Sequence, residues 1–283
     1  MNKPVYKTEE GRNIVESSYQ KVLENHSHTA FKQLFIPTEV ARTHVLRFGE
    51  VTKPPLIMLH GSASNSAAWL GTISNFIDHF CVYCVDIPGE PGLSEPARCI
   101  LDSESPKKWL TSLLDNLTIK KASFLTTSLG SWYALNFAIT NPGRVTAISM
   151  LTTSGIVPAK RSFIVKAIFF MMLGEVGQKL LSKAIYHKTV VPSEVLAFQA
   201  LVSRHFIPVM ERIPVFSDEM LKTISGPVQF FGGDHDALID SVKTGERIKN
   251  LLPHSEIHIL EDTGHVILDQ FSVIKDFLVS HKG

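Results

Sequence analysis

Cysteine is scarce in this chain, with three in 283 residues (Cys81, Cys84 and Cys99), too few for a disulfide framework. Cys81 and Cys84 have C-x-x-C spacing but lie in an apolar, strand-like run. Alternation sends positions i and i+3 to opposite faces of a strand, so the two can neither pair nor share a metal with ease. They read as packing residues of a reducing compartment. Charge of one sign is also missing: 28 Lys+Arg stand against 27 Asp+Glu, a net charge of +1. No field of that size draws nucleic acid or an acidic partner. The strongest apolar stretch, residues 164–173, carries Lys166 and falls far short of the ~20 residues of a membrane span. Met1-Asn2-Lys3-Pro4 lacks the apolar core of a signal peptide, so a cytoplasmic protein is expected. Neither an internal repeat nor a low-complexity tract is evident, and no metal or cofactor motif stands out.

The chain does hold apolar segments in a rhythm. At 44% hydrophobic and 19% charged, its composition suits one large α/β domain with room for an insertion. Residues 9–25 read as an amphipathic helix, with Val15, Tyr19, Val22 and Leu23 at helical spacing. Strands follow at 29–37 and 42–48, then at 55–60, 80–86, 121–127, 145–151, 227–232 and 255–260. Helices are expected at 65–78, 103–116, 129–140, 240–251 and 266–280. Alternating strands and helices imply a mostly parallel, eight-stranded sheet covered on both faces. The rhythm breaks at 155–226, which reads as helices without strands. This segment is expected to form a cap inserted into a core of 1–154 and 227–283.

Thr126-Thr127-Ser128-Leu129-Gly130-Ser131 lies between an apolar strand and a helix-like run. A serine on such a turn presents its hydroxyl at the end of a sheet, with a helix N-terminus behind it. Small residues around the serine let the turn form, and here they are Thr126, Gly130 and Ser131. Taken alone, Ser-x-Gly is more often an ordinary turn or cap. Its partners change that weighting. Gly233-Asp234-His235-Asp236 and Thr263-Gly264-His265 each follow an apolar strand, and so does His60-Gly61-Ser62. Ligands of open α/β sheets bind beyond the carboxyl ends of the strands.

A serine hydroxyl needs an adjacent base to become nucleophilic. Ser128 is the candidate nucleophile, His265 the candidate base, and Asp236 the group that orients the imidazole. Asp234 and Asp240 compete for the last role; Asp236 is preferred because it lies three residues beyond Gly233, deep in the loop. The N–H groups of Leu129 and Ser62 are the candidate oxyanion donors, with Gly61 allowing close backbone approach. His60 is expected to pin its loop by hydrogen bonds. Asp86-Ile87-Pro88-Gly89-Glu90-Pro91-Gly92-Leu93-Ser94 lacks both phosphate-binding signatures and reads as a rigid turn beside the site, with no catalytic role.

On these motifs the chain resembles the α/β-hydrolases over essentially its full length. It is also similar to bacterial carboxylesterases of the naproxen-esterase type, through Ser18-Tyr19-Gln20 and Thr43-His44-Val45. The resemblance implies a Ser-His-Asp ester hydrolase with a helical cap, no cofactor and no metal. Thr126 and Ser131 depart from the glycines usual at those places. A small apolar ester is the expected substrate. Ile164, Phe169, Phe170, Met171 and Met172 suggest an apolar pocket, although most of them read better as cap core. A thioester, lactone or carbon–carbon bond remains open to the same triad, and so does a non-catalytic small-molecule receptor on the same fold. Dehalogenase and epoxide-hydrolase chemistry is disfavoured, because those enzymes carry aspartate where this chain has Ser128.

Overall fold

The structure, a computed structural model, describes residues 4–26, 28–163, 166, 170, 174–209 and 211–282. Of the cap residues named above, Ile164, Phe169, Met171 and Met172 lie outside the described residues.

Eight strands form one sheet: β1 (Phe31–Ile36), β2 (Thr43–Phe48), β3 (Pro55–Leu59), β4 (Cys81–Val85), β5 (Ala122–Thr127), β6 (Val145–Leu151), β7 (Val228–Gly233) and β8 (Glu256–Leu260). Their spatial order is β1-β2-β4-β3-β5-β6-β7-β8. The pairs β1–β2 and β2–β4 are antiparallel and the remaining pairs parallel. The central strands are buried along nearly their whole length, as strands covered on both faces must be.

Alternation divides the core into two layers. Ile57, Leu59, Cys81, Val85, Phe124, Met150 and Phe230 face one side, where they meet α2 (Ser105–Asn116) and α3 (Leu129–Thr140). Leu56, Met58, Val82, Cys84, Leu125 and Phe231 face the other. There they meet α1 (Glu9–Asn25), a 3-10 helix (Ser66–Asn75) and the last helix. Cys81 and Cys84 thus point into opposite layers, both buried and unpaired. In α1, Val15, Tyr19 and Leu23 are buried, whereas Val22 is turned toward solvent.

Between β6 and β7 the described residues form helices only: α4 (Gly174–Tyr186), α5 (Ser193–His205) and the short α6 (Asp218–Lys222). Two more helices follow, α7 (Ser241–Leu251) and α8 (Phe271–Ser280). No described helix is long and apolar enough to cross a membrane.

Two helices differ from the sequence expectation. The segment expected as a helix at 65–78 is a 3-10 turn series over Ser66–Asn75. Asn65 starts it with an i→i+3 bond from Ala68, and Gly71 in its middle lowers helix propensity. The final helix begins at Phe271 rather than at 266, because the Val266 carbonyl is taken by the Thr189 hydroxyl at 3.0 Å.

Strand order reverses between β3 and β5. From β3 the chain steps to β4 on one side, then crosses over to β5 on the other. The loop after β3 leads to the 3-10 helix on one face and the loop after β5 to α3 on the other, the kind of place where open α/β sheets bind ligands.

Candidate active site

Ser128 occupies the first place after β5, with φ 50° and ψ −111°. A non-glycine residue rarely adopts a left-handed φ, and one held there marks a constrained, purposeful turn. The surroundings impose it. The Ser128 N–H donates to Leu151 O at 3.0 Å, and its carbonyl accepts from Ser131 N and Ser154 N. Gly130 is obligatory: a Cβ there would stand 2.3 Å from the Leu59 carbonyl. Thr126 and Ser131, which replace the customary small residues, are both fully buried and satisfy one another, Thr126 Oγ1 donating to Ser131 Oγ at 3.0 Å. The turn therefore tolerates two hydroxyls that pair, but no side chain at position 130. Behind Ser128 runs α3, buried from Leu129 to Leu135, its positive N-terminal end at the serine.

Register brings the loop after β3 alongside. Leu59 pairs with Thr126, so the chains leaving β3 and β5 emerge together. A Cβ on Gly61 would lie 3.5 Å from the Ser128 Cβ, ordinary contact distance. Among the described residues, neither the Ser62 N–H nor the Leu129 N–H donates to a protein acceptor. His60 pins this loop as expected. Burial pushes its imidazole below the ordinary histidine range, so the ring is neutral. Ile87 N–H donates to Nε2 at 3.0 Å, which leaves the proton on Nδ1 for the Gly61 carbonyl at 2.8 Å.

The loops after β7 and β8 meet in the same way. Gly233 pairs with Leu260, and a Cβ on Gly233 would strike the Thr263 carbonyl at 2.1 Å. His235 N–H donates to Thr263 O at 2.9 Å. This seam brings Asp236 Oδ2 to 2.8 Å from His265 Nδ1. The other oxygen, Oδ1, accepts the N–H groups of Leu238 (2.8 Å) and Ile239 (3.1 Å), and the carboxylate is wholly buried. Lys160 Nζ donates to the Asp236 carbonyl at 2.6 Å and fixes the loop from behind. Of the three competing aspartates, Asp234 braces the seam through His235 and Thr263 N–H, and Asp240 caps α7 through Lys243 N–H. Asp236 is the one at the histidine. Ser128 Oγ and His265 make no hydrogen bond to each other among the described residues.

At the carboxyl end of β4 lies a cluster that the sequence reading left as a plain turn. Asp86 is completely buried and accepts four hydrogen bonds, from Tyr19 Oη (3.2 Å), Ser66 N (2.8 Å), Leu93 N (2.8 Å) and His44 Nδ1 (2.7 Å). Burial alone would raise its pKa. The His44 hydrogen bond and the nearby His44 and His60 rings, together with Leu93 N–H, outweigh burial and hold it at about 2. His44 in turn meets Gln33 Oε1 at 3.0 Å.

One further set of donors deserves a metal test. His187, His235 and Asp262 bring one ligand atom each within 4.8 Å of the others. The imidazoles of His187 and His235 stack at 4.5 Å with 18° between planes, so their in-plane lone pairs do not converge on one point. His187 Nε2 meets Asp262 at 2.8 Å, and Lys188 pairs with the same carboxylate. The set forms an ion-pair cluster between the end of α4 and the β8 loop.

Residues 56–272 match the model of the alpha/beta hydrolase family. The chain belongs to that family. Its relatives include two proteins of Bacillus subtilis strain 168. One is called uncharacterized carboxylesterase nap, with 28% identity over 83% of this chain and 81% of its own length. The other is carboxylesterase YbfK, with 26% identity over 82% and 81%. The crystal structure of naproxen esterase from B. subtilis superposes with a TM-score of 0.85 at 21% identity, covering 97% of this chain and 99% of that one. This hydrolase is thus carboxylesterase-like, as its opening helix and its Thr43-His44-Val45 strand suggested.

Proposed function

We propose that the chain hydrolyses carboxylic esters through an acyl-enzyme, at the loops leaving β3 and β5. Ser128 attacks the ester carbonyl, His265 takes its proton and returns it to the leaving alcohol, and Asp236 holds the imidazole with its Nε2 lone pair free. The N–H groups of Leu129 and Ser62 receive the developing oxyanion. Residues 155–226 form a helical cap over a core of 1–154 and 227–283, and the cap bounds a small apolar acyl group. Catalytic hydrogen bonds of unliganded sites are often long and tighten on substrate binding, so the open Ser128–His265 pair fits this reading. Three buried, unpaired cysteines fit a reducing compartment such as the cytoplasm.

The observation that carries the proposal is the left-handed backbone of Ser128 at a helix N-terminus, with Gly61 against its Cβ. Its test is the initial rate on p-nitrophenyl esters from acetate to laurate. Ser128→Ala is expected to lower kcat by about 10⁴-fold or more without unfolding the protein. Hydrolysis by that variant at the wild-type rate sinks the proposal.

A further inference from the structure

Glu90 stands in the loop between β4 and α2, 4% exposed. Its Oε2 accepts the N–H of Ala63 at 2.6 Å. Neighbouring contacts join the same two loops: Asn65 Nδ2 donates to Pro91 O at 2.8 Å, Ser66 N to Asp86 Oδ1 at 2.8 Å, and Ile87 N to His60 Nε2 at 3.0 Å. The loop from His60 to Ser66 is thereby fastened at both ends, and Glu90 holds its middle. That middle is the unfavourable part, because Ala63 has φ 54°, a left-handed value without glycine. The Ala63 N–H belongs to the peptide linking Ser62 to Ala63. The Ser62 N–H lies in the preceding peptide, whose Gly61 carbonyl meets His60 Nδ1 at 2.8 Å, so His60 and Glu90 between them hold the peptide planes on either side of the Ser62 Cα.

The carboxylate itself sits in a costly place. Burial raises its pKa, and the Ala63 N–H and the Arg98 charge lower it only in part, leaving it at about 7. Arg98 is no close ion-pair partner. Its guanidinium donates to the carbonyls of Gly89 (3.2 Å), Pro4 (3.3 Å) and Ile207. A buried acid kept without a tight counter-ion disfavours folding, and such groups concentrate where function needs them.

We infer that Glu90 is a positioning residue, whose carboxylate holds the left-handed turn at Ala63 and thereby aims the Ser62 N–H at the oxyanion site beside Ser128. The inference rests on the serine-esterase reading above. The ionised carboxylate is the stronger acceptor, so kcat rises with pH through the titration of Glu90. Three groups face it: Arg98 from its own loop, Tyr133 from α3, and Tyr6 from the N-terminal segment. Both tyrosines are held above their ordinary pKa by burial and stay neutral as Glu90 titrates.

The experiment compares wild type, Glu90→Gln and Glu90→Ala on one p-nitrophenyl ester, measuring kcat and KM across pH, with melting temperatures alongside. Loss of one oxyanion donor lowers kcat by about 10²–10³-fold, and a donor left misaimed by Glu90→Ala is expected to cost about 10–100-fold at nearly constant KM. Glu90→Gln keeps an accepting oxygen, so it falls between and loses the ionisation near 7. Stability separates positioning from plain structure. The native acid titrates above its unfolded value, so wild type loses stability as pH rises from about 4.5 to about 7. Glu90→Gln is therefore expected to melt above wild type at alkaline pH, with the gap closing in acid, while its kcat is lower. A kcat equal to or above wild type in Glu90→Gln overturns the inference, whether or not the alanine variant folds. If wild type hydrolyses no ester, the esterase reading fails instead, and the amide proton of Ala63 still decides the tether by NMR. Titration of that signal near pH 7 in wild type, and its loss in Glu90→Gln, is expected; a signal that does not titrate overturns the tether.

Discussion

Asp234 and Asp236 lie two residues apart in one loop, and their surroundings give them opposite work. Asp234 is exposed enough to meet water and ties its carboxylate to His235 and Thr263 N–H, which holds its pKa at about 2. Asp236 is sealed, with two backbone donors on one oxygen and His265 on the other. Asp236→Asn is expected to keep the fold and lower kcat by about 10⁴-fold, by favouring the wrong imidazole tautomer. Asp234→Asn, by contrast, is expected to leave kcat within about tenfold, since it supports the seam and not the ring. Parallel kcat measurements on the two variants check the assignment. Equal losses would show that the loop, and not the buried carboxylate, is what matters. The sequence ranked these residues by depth in the loop; in the structure Asp236 is the one beside His265, where Gly233 hugs the β8 loop. It could not foresee that Lys160, from the segment after β6, would clasp the Asp236 carbonyl.

At the scale of elements, strands were readable because apolar runs buried on both faces have few alternatives. Local bonds decided the rest. The 66–75 segment is tightened into 3-10 turns by Asn65, and the start of α8 is delayed by Thr189, a residue of the segment between β6 and β7. The first effect is local to its segment, whereas the second comes from a residue distant in sequence from the helix it alters. The turn from Asp86 to Ser94 was legible as a rigid loop but not as a hub, since its partners come from α1, β2 and the 3-10 helix. Glu90 was overlooked for the same reason: the N–H it accepts comes from position 63, in the loop after the neighbouring strand β3. Asp86→Ala strips four donors of their acceptor and is expected to destabilise the protein by about 3–5 kcal/mol in denaturant titrations at neutral pH. The native pKa near 2 lies below the unfolded value. The contribution is therefore full above about pH 4 and fades as pH falls toward 2. A loss that persists undiminished in acid would assign the effect to packing instead of charge.

Across the whole molecule, the N-terminal segment ties α1 to the helices between β6 and β7. Tyr6 bridges Phe206, Lys7 N–H donates to His205 O at 2.8 Å, and Ile207 N–H donates to Val5 O at 2.9 Å. Val5, Tyr6, Val15, Val202 and Phe206 form a small core of their own. The helices cross closely at Gly11, where a Cβ would stand 2.7 Å from the His205 ring. Gly11→Leu is expected to push α5 outward and lower stability by about 1–3 kcal/mol. KM for long-chain esters should rise, with kcat on acetate little changed. Unchanged melting and unchanged KM would show that this crossing does not govern the site.

The site is also ordered in time along the chain. The Ser62 and Ser128 turns belong to strands at the middle of the sheet, made early, whereas His265 follows β8, the last strand and one edge of the sheet. A growing polypeptide therefore holds Ser128 before it holds His265, and His265 reaches its place only when that edge strand pairs with β7. On the roles proposed above, the hydroxyl lacks its base until that pairing is made, and an unfinished chain is spared acylation.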